Sequence, residues 1–183
     1  MRIGLVRHYK VKHSFPKAGF LSPDELTAWF QAYDASDVEM VRTELKGIEW
    51  SRCYASNMDR AVKSAKHLYP GPIKVTERLR EVAYPDFGHI SKRRLHIVAW
   101  VLLVRLAWYF SPRVYPEGRA EVRKRAASVL DEIIAQGDGD VLIVSHAALM
   151  MELRKELLRR GYSGPRFGTA TNGKLYVFEP RGG

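Results

Sequence analysis

The sequence predicts an α/β fold, a three-layer α/β/α sandwich with a mostly parallel central sheet and a C-terminal edge hairpin. Two short apolar runs, Ile3 to Val6 and Val141 to Val144, have the composition of strands buried on both faces. Both stop abruptly at a polar pair, Arg7-His8 after the first and Ser145-His146 after the second. Between them, stretches of helical periodicity alternate with shorter strand-like ones, the order that lays helices on both faces of a parallel sheet. In open sheets of this kind the loops at the carboxyl ends of the strands form the ligand crevice. A histidine at each of two such ends is therefore placed for chemistry rather than for packing.

The elements follow in order. Ser22-Pro23-Asp24-Glu25 combines an N-cap serine, proline at the first helical position and glutamate at the third, a capping box that opens a helix from Pro23 to about Asp34. Leu26, Trp29, Phe30 and Tyr33 recur at i, i+3, i+4 and i+7, so one stripe of that helix faces a core. A weaker helix is expected over Val38 to Leu45, ended by Gly47. Ile48 to Ala55 reads as a strand, and Ser56 or Asn57 then caps a helix to Leu68. Arg60 falls in its first turn, where free amides and the positive dipole end favour an anion. Pro72 to Val75 is a short strand, followed by a loop bearing Glu77, Glu81 and Asp86.

Leu95 to Phe110 is the most apolar segment, but Arg105 interrupts it and it is too short for a membrane span. It is expected as a buried helix or lid, making 88–116 a lid or pocket-wall insertion, with a membrane-surface or dimer contact as the alternative. A helix from Glu117 to Ala135 carries Val122, Ala126, Val129, Leu130, Ile133 and Ile134 on one face and ends at Gly137-Asp138-Gly139. After the strand at Val141, a helix from Ala147 to Arg160 ends at Gly161. Thr169 to Thr171 is expected to pair with Leu175 to Phe178 across Asn172-Gly173, a hairpin signal.

At 183 residues the chain fits one domain, 1–183, with a full core. Cys53 is the only cysteine, which excludes an intramolecular disulfide and a thiol cluster for zinc. The apolar stretch before Arg7 is too short for a signal peptide, and a cytoplasmic location is expected. A net charge of +10 is compatible with a nucleic acid, an anionic membrane surface or a small anionic substrate. The basic residues are scattered rather than gathered in one tail, as solvated helix faces would have them.

Four motifs in this order resemble the histidine phosphatase superfamily, the phosphoglycerate mutase-like group. They are Arg7-His8 at a strand end, Ser56-Asn57-Met58-Asp59-Arg60-Ala61, Leu79-Arg80-Glu81, and Val144-Ser145-His146 at a second strand end. The resemblance extends from Met1 to about Phe178. It implies a phosphatase that hydrolyses a phosphomonoester through a phosphohistidine on His8. Glu81 and His146 join His8 in catalysis, and phosphate is bound by Arg7, Arg60, Ser14, His146 and the Ala147 position. The family usually has glycine after its Arg-His, where this chain has Tyr9, and asparagine six residues after the histidine, where this chain has Ser14. Ala147 stands for a common glycine, and Gly118-Arg119-Ala120 for a common Gly-Glu-Ser. Lys10 and Lys12 suggest an anionic substrate.

The chemistry suits those residues. A neutral imidazole can attack phosphorus in line, and guanidinium groups stabilise charge spreading over the equatorial oxygens. A carboxyl group protonates the leaving alkoxide, which asks for a raised pKa. Glu81 is the expected acid, with Asp86 or Glu77 as alternatives. No metal and no cofactor are implied. The expected partner is a small phosphorylated substrate or a phosphoprotein, not nucleic acid, with oligomeric state left open to include a dimer. Two alternatives stand: a mutase-type phosphotransferase, and a basic anion- or nucleic-acid-binding module with little turnover.

Overall fold

The computed structural model describes residues 1–14, 16, 19–110, 112–137 and 139–182. Six strands form one sheet: β1 (Ile3–Arg7), β3 (Arg52–Ser56), β4 (Ile73–Thr76), β6 (Val141–Ser145), β7 (Tyr162–Ser163) and β8 (Leu175–Pro180). Their order is β4-β3-β6-β1-β8-β7. The β4–β3, β3–β6 and β6–β1 pairs are parallel, and β8 runs antiparallel to both β1 and β7. A separate two-stranded ribbon joins β2 (Phe20–Leu21) to β5 (Leu95–His96).

Period-two alternation divides the sheet's side chains between two cores. Ile3, Leu5, Tyr54, Val141, Ile143, Tyr176 and Phe178 face α5 (Arg119–Ala135) and α6 (Ala147–Arg159). Val6, Cys53, Ala55, Leu142, Val144 and Leu175 face the other way, against α2 (Asp59–Leu68). A third core of Leu26, Phe87, Ile97 and Trp100 lies where α1 (Pro23–Ala35), α3 (Phe87–Ile90) and α4 (Ile97–Phe110) meet. The Trp100 indole ties it to the ribbon by donating to the Leu21 carbonyl at 2.8 Å. The capping box at Ser22 forms as read from sequence, with both reciprocal hydrogen bonds present.

Several elements depart from the expectation. Residues 38–45 are not helical, because this segment bonds outward to the first loop: Lys12 donates to the Asp37 carbonyl, Glu39 donates to the Lys10 carbonyl, and Val38 bridges Val11. So short a helix is marginal alone, and these outside partners win. The second strand is shorter than read, Arg52–Ser56, and α2 starts at Asp59 with no side-chain cap on Met58. Helix α5 starts at Arg119, while Glu117 is buried in an ion pair with Arg125 at 2.6 Å. Gly137 and Gly139 both have positive φ, as a turn there requires, and residue 138 lies outside the described residues.

The edge pair at the C-terminal end is Tyr162–Ser163 with Leu175–Pro180, not the expected hairpin across Asn172-Gly173. Asn172 is instead drawn against β1, bridging Arg7, with its side-chain amide donating to the His8 carbonyl at 2.7 Å. Nor is Leu95 to Phe110 a buried helix. It opens as a strand, and in α4 only Ile97 and Trp100 are buried.

Gly4, at the middle of β1, lies between Leu142 and Val177 on its neighbouring strands. A Cβ there would stand 2.5 Å from a Trp50 ring carbon and 2.9 Å from a Leu175 methyl. Gly4→Ala should therefore overpack this side of the sheet and destabilise the protein by about 1–3 kcal/mol, read as a lowered urea midpoint. An unchanged or raised midpoint would contradict this packing.

Candidate active site

The register of the central strands builds the site. In the parallel β1–β6 pair Arg7 stands opposite Ser145, so the next residue on each strand is a histidine. His8 and His146 thus leave adjacent strands at the same level, and their ring centroids are 5.0 Å apart. On the far side of β6, Ala55 pairs with Val144, which brings Ser56 level with this end. Its hydroxyl lies 2.8 Å from His146 Nε2 and accepts from the Met58 amide. Ser56, His8 and His146 are all buried.

Hydrogen bonding decides the state of the His8 ring. Nδ1 lies 2.6 Å from the Tyr9 carbonyl oxygen, which can only accept, so Nδ1 carries the proton. The Nε2 lone pair of a neutral ring is left free. Burial first, and then the Arg60 charge, lowers the His8 pKa to about 3, with Arg7 adding to the effect and the Tyr9 bond opposing it. His146 is shifted in the same direction, well below the ordinary range, by burial and by its neighbours His8, Arg60 and Arg7. Burial, reinforced by two nearby guanidinium groups, thus favours the neutral form of both imidazoles.

Those two groups are only partly satisfied. Arg7 donates from Nη1 to the Ala170 carbonyl at 3.0 Å. Arg60, buried in the first turn of α2, donates from Nη1 to Asp34 at 2.6 Å, and its guanidinium carbon lies 5.2 Å from the Tyr33 ring centroid. Yet Nε of Arg7, Nε of Arg60 and Nδ1 of His146 are buried with no hydrogen-bond partner within the protein. Buried polar atoms are nearly always paired, so three such nitrogens around two histidines mark a place for an oxyanion.

Glu81 reaches the same end of the sheet by another route. Its carboxylate accepts from the Ala148 and Leu149 amides, in the first turn of α6 directly after His146, and from the Val82 amide. Burial raises its pKa, against the pull of those amides and of Arg60. The turn that carries it is clamped: Ser145 Oγ donates to the Leu79 carbonyl, and Arg125 donates to the carbonyls of Arg78 and Arg80. The two alternative acids lie elsewhere. Asp86 is exposed, capping α3 and pairing with His89, and Glu77 is exposed beside Arg80.

The structure brings Arg7, His8, Arg60, His146 and Glu81 together, with Ala147 opening α6 beside them. Ser14 is exposed, and its carbonyl accepts from the Trp29 indole. Lys10 and Lys12 are also exposed and taken up by Glu39 and Asp37, so they are surface ion pairs rather than part of the site. Tyr9 is fully buried in the α2-facing core, and its amide donates to Ser64 Oγ. A cleft of about 420 Å³ bounded by Arg78, Arg80, Glu117 and Arg125 includes neither histidine, and carboxylates already engage these three arginines. Among the described residues, no group of three or more His, Cys, Asp or Glu side chains is arranged to hold a metal ion.

Four contributors were not expected at the site from sequence: Ser56, Asp34, Tyr84 and Asn172. Ser56 opens the Ser-x-x-x-Arg-Ala motif, so a signal for it was present. Asp34 sits one residue after Tyr33 on α1 and accepts from both Arg60 and the Tyr84 hydroxyl, a long-range contact that no local pattern announces.

The depressed histidine pKa values have a consequence for stability. A group whose folded pKa lies below its ordinary value binds fewer protons folded than unfolded, so stability falls as pH drops below that ordinary value. For His8 the window runs from 6.5 down to about 3. Glu81, raised, acts with the opposite sign, so the comparison must isolate His8. Between about pH 7.5 and about pH 5, wild type should lose about 2 kcal/mol more than His8→Ala in urea titrations. Equal losses in the two proteins would contradict a neutral buried His8.

Residues 35–183 match the family model described as histidine phosphatase superfamily (branch 1). Curated proteins give no match. Among solved structures, a mycobacterial glucosyl-3-phosphoglycerate phosphatase is 18% identical, with a TM-score of 0.62, covering 96% of this chain and 88% of its own. YhfR of Bacillus stearothermophilus is 20% identical, with a TM-score of 0.60, covering 100% and 92%. The alpha-ribazole phosphatase of Shigella flexneri is 16% identical, with a TM-score of 0.59, covering 97% and 89%. At such identities these neighbours share the fold. The family model covers Arg60, Glu81 and His146, strand register sets His8 beside His146, and the chain thereby belongs to the histidine phosphatase superfamily.

Proposed function

We propose that this protein is a metal-independent phosphatase that hydrolyses a phosphomonoester through a phosphohistidine on His8. The observation that carries the reading is the His8 ring, neutral and held by the Tyr9 carbonyl with Nε2 free, among buried nitrogens of Arg7, Arg60 and His146 that have no partner. In the first step Nε2 attacks phosphorus in line, the N–P bond forms and the P–O ester bond breaks. Glu81, protonated, gives its proton to the leaving alkoxide. Water then attacks the phosphohistidine while Glu81 takes back a proton, the N–P bond breaks, and phosphate leaves with His8 neutral again.

The cations act on the charge. Arg7 and Arg60 bind the equatorial oxygens without rearrangement, because Ala170 and Asp34 already fix their planes. Burial, and then the neighbouring His8, Arg60 and Arg7, push the His146 pKa well below its ordinary value, so the neutral ring is favoured. A phosphate dianion reverses that field and favours the imidazolium, a third cationic donor. Glu81 has the raised pKa that a general acid needs, and burial is the cause.

The test is rapid-quench labelling with a phosphorylated substrate, alongside a comparison of leaving groups. Wild type should trap an acid-labile, base-stable phosphoenzyme that His8→Ala abolishes together with phosphate release. Glu81→Gln should slow phosphorylation by alkyl phosphates about 10²-fold more than by nitrophenyl phosphate, whose leaving group needs no proton. Turnover surviving in His8→Ala would overturn the reading. A phosphoenzyme that passes phosphate to a second substrate rather than to water would mark a mutase.

A further inference from the structure

The exposed side of α4 is unexplained by the chemistry above. Val98, Val101, Leu102, Leu106, Tyr109 and Phe110 are all exposed, Leu102 by 57% and Phe110 by 80%. With Arg105 they recur at i, i+3, i+4, i+7, i+8, i+11 and i+12, one continuous stripe along the helix. The opposite side packs through Ile97 and Trp100 into the third core, so the stripe faces outward by construction. Stripes of this kind on a folded protein usually mark a surface that meets something apolar.

Charge chooses the partner. From Phe87 to Pro116 the sequence has no acidic residue and five cations, Lys92, Arg93, Arg94, Arg105 and Arg113. Arg94 is engaged by Glu25, but the other four are exposed and have no carboxylate partner among the described residues. Lys92 and Arg93 precede the helix, Arg113 follows it, and Arg105 lies within the stripe. A second copy docked face to face would set these cations against one another with no carboxylate in the stretch to meet them. An anionic lipid surface neutralises them and takes up the apolar stripe at the same time. At 14 residues α4 is about 21 Å long, short of the roughly 30 Å needed to span, and among the described residues no helix is long and apolar enough to cross.

We infer that α4 lies flat on an anionic bilayer surface, its stripe sunk at the headgroup boundary and Lys92, Arg93, Arg105 and Arg113 against the lipid phosphates. Arg105 suits this place, since its aliphatic stem runs along the apolar stripe while its head reaches outward. Tyr109, with the Arg119 guanidinium 4.7 Å from its ring centroid, gives an aromatic body with a polar tip at the same depth.

The test is co-sedimentation of the full chain with vesicles of phosphatidylcholine mixed with phosphatidylserine, and with vesicles of phosphatidylcholine alone. Wild type should bind the anionic vesicles and release them in high salt. Arg105→Gln and Arg113→Gln should each weaken binding about fivefold. Leu102→Glu with Phe110→Glu should weaken it on the order of tenfold or more. All four positions are exposed, and the variants should keep the wild-type circular dichroism spectrum; the two arginine variants stand as the test if the double variant does not. Equal binding to both vesicle types, or none to either, would overturn the inference. So would a dimer in sedimentation equilibrium that the α4 variants dissociate, which would assign the stripe to a second copy.

Discussion

Parallel, in-register pairing of β1 with β6 is the constraint from which the site follows. A slip of one residue would turn every side chain of β1 to the opposite face of the sheet, sending Ile3 and Leu5 out of one core and Val6 out of the other. The hydrophobic pattern therefore enforces the register, and the register sets Arg7 opposite Ser145 and His8 beside His146. Position comes from core packing rather than from any interaction of the imidazoles with each other. Loop 170–173 closes over the same end from behind, with the Gly173 amide donating to the Arg7 carbonyl and the Asn172 side chain to the His8 carbonyl.

Burying Arg60 and two histidines beside the half-buried Arg7 is costly, and the protein meets that cost with selected partners instead of full neutralisation. Arg60 has Asp34, and Asp34 in turn receives the Tyr84 hydroxyl. The histidines avoid the cost by staying neutral. What remains is a pocket short of negative charge, with donors fixed before a ligand arrives, the condition under which electrostatic stabilisation of a transition state is most effective. The aromatic contacts Trp100 on Phe87, Phe87 on Phe30 and Phe30 on Tyr84 join α4 to the residue that holds Asp34. The outer helix and Arg60 thus share one packed support.

Much of this was legible in the chain itself, for physical reasons that differ by element. β1 and β6 announce themselves because doubly buried strands are apolar without interruption, and the capping box at Ser22 is a purely local device. His8 and His146 stand directly after strand ends and Arg60 in the first turn of α2, where sequence order and site geometry coincide. The failures lie where distant partners decide. Residues 38–45 give up helical bonds for the first loop, Asn172-Gly173 turns toward β1 instead of closing a hairpin, and Asp34 finds Arg60 across 26 residues. The apolar content of α4 was plain from sequence, but which side of it faced the core depends on the third cluster and is not a local property.

The proposed chemistry rests on His8 being a neutral ring with its proton on Nδ1. Nitrogen-15 NMR of the imidazole nitrogens, assigned by loss of the His8 signals in His8→Ala, reads both the tautomer and the titration directly. The account predicts the neutral Nδ1–H form for His8 in the unliganded protein at neutral pH, persisting well below the ordinary 6.5 as acid is added. An imidazolium at neutral pH, or a neutral ring protonated on Nε2, would leave Nε2 no lone pair for phosphorus and would contradict the proposed nucleophile.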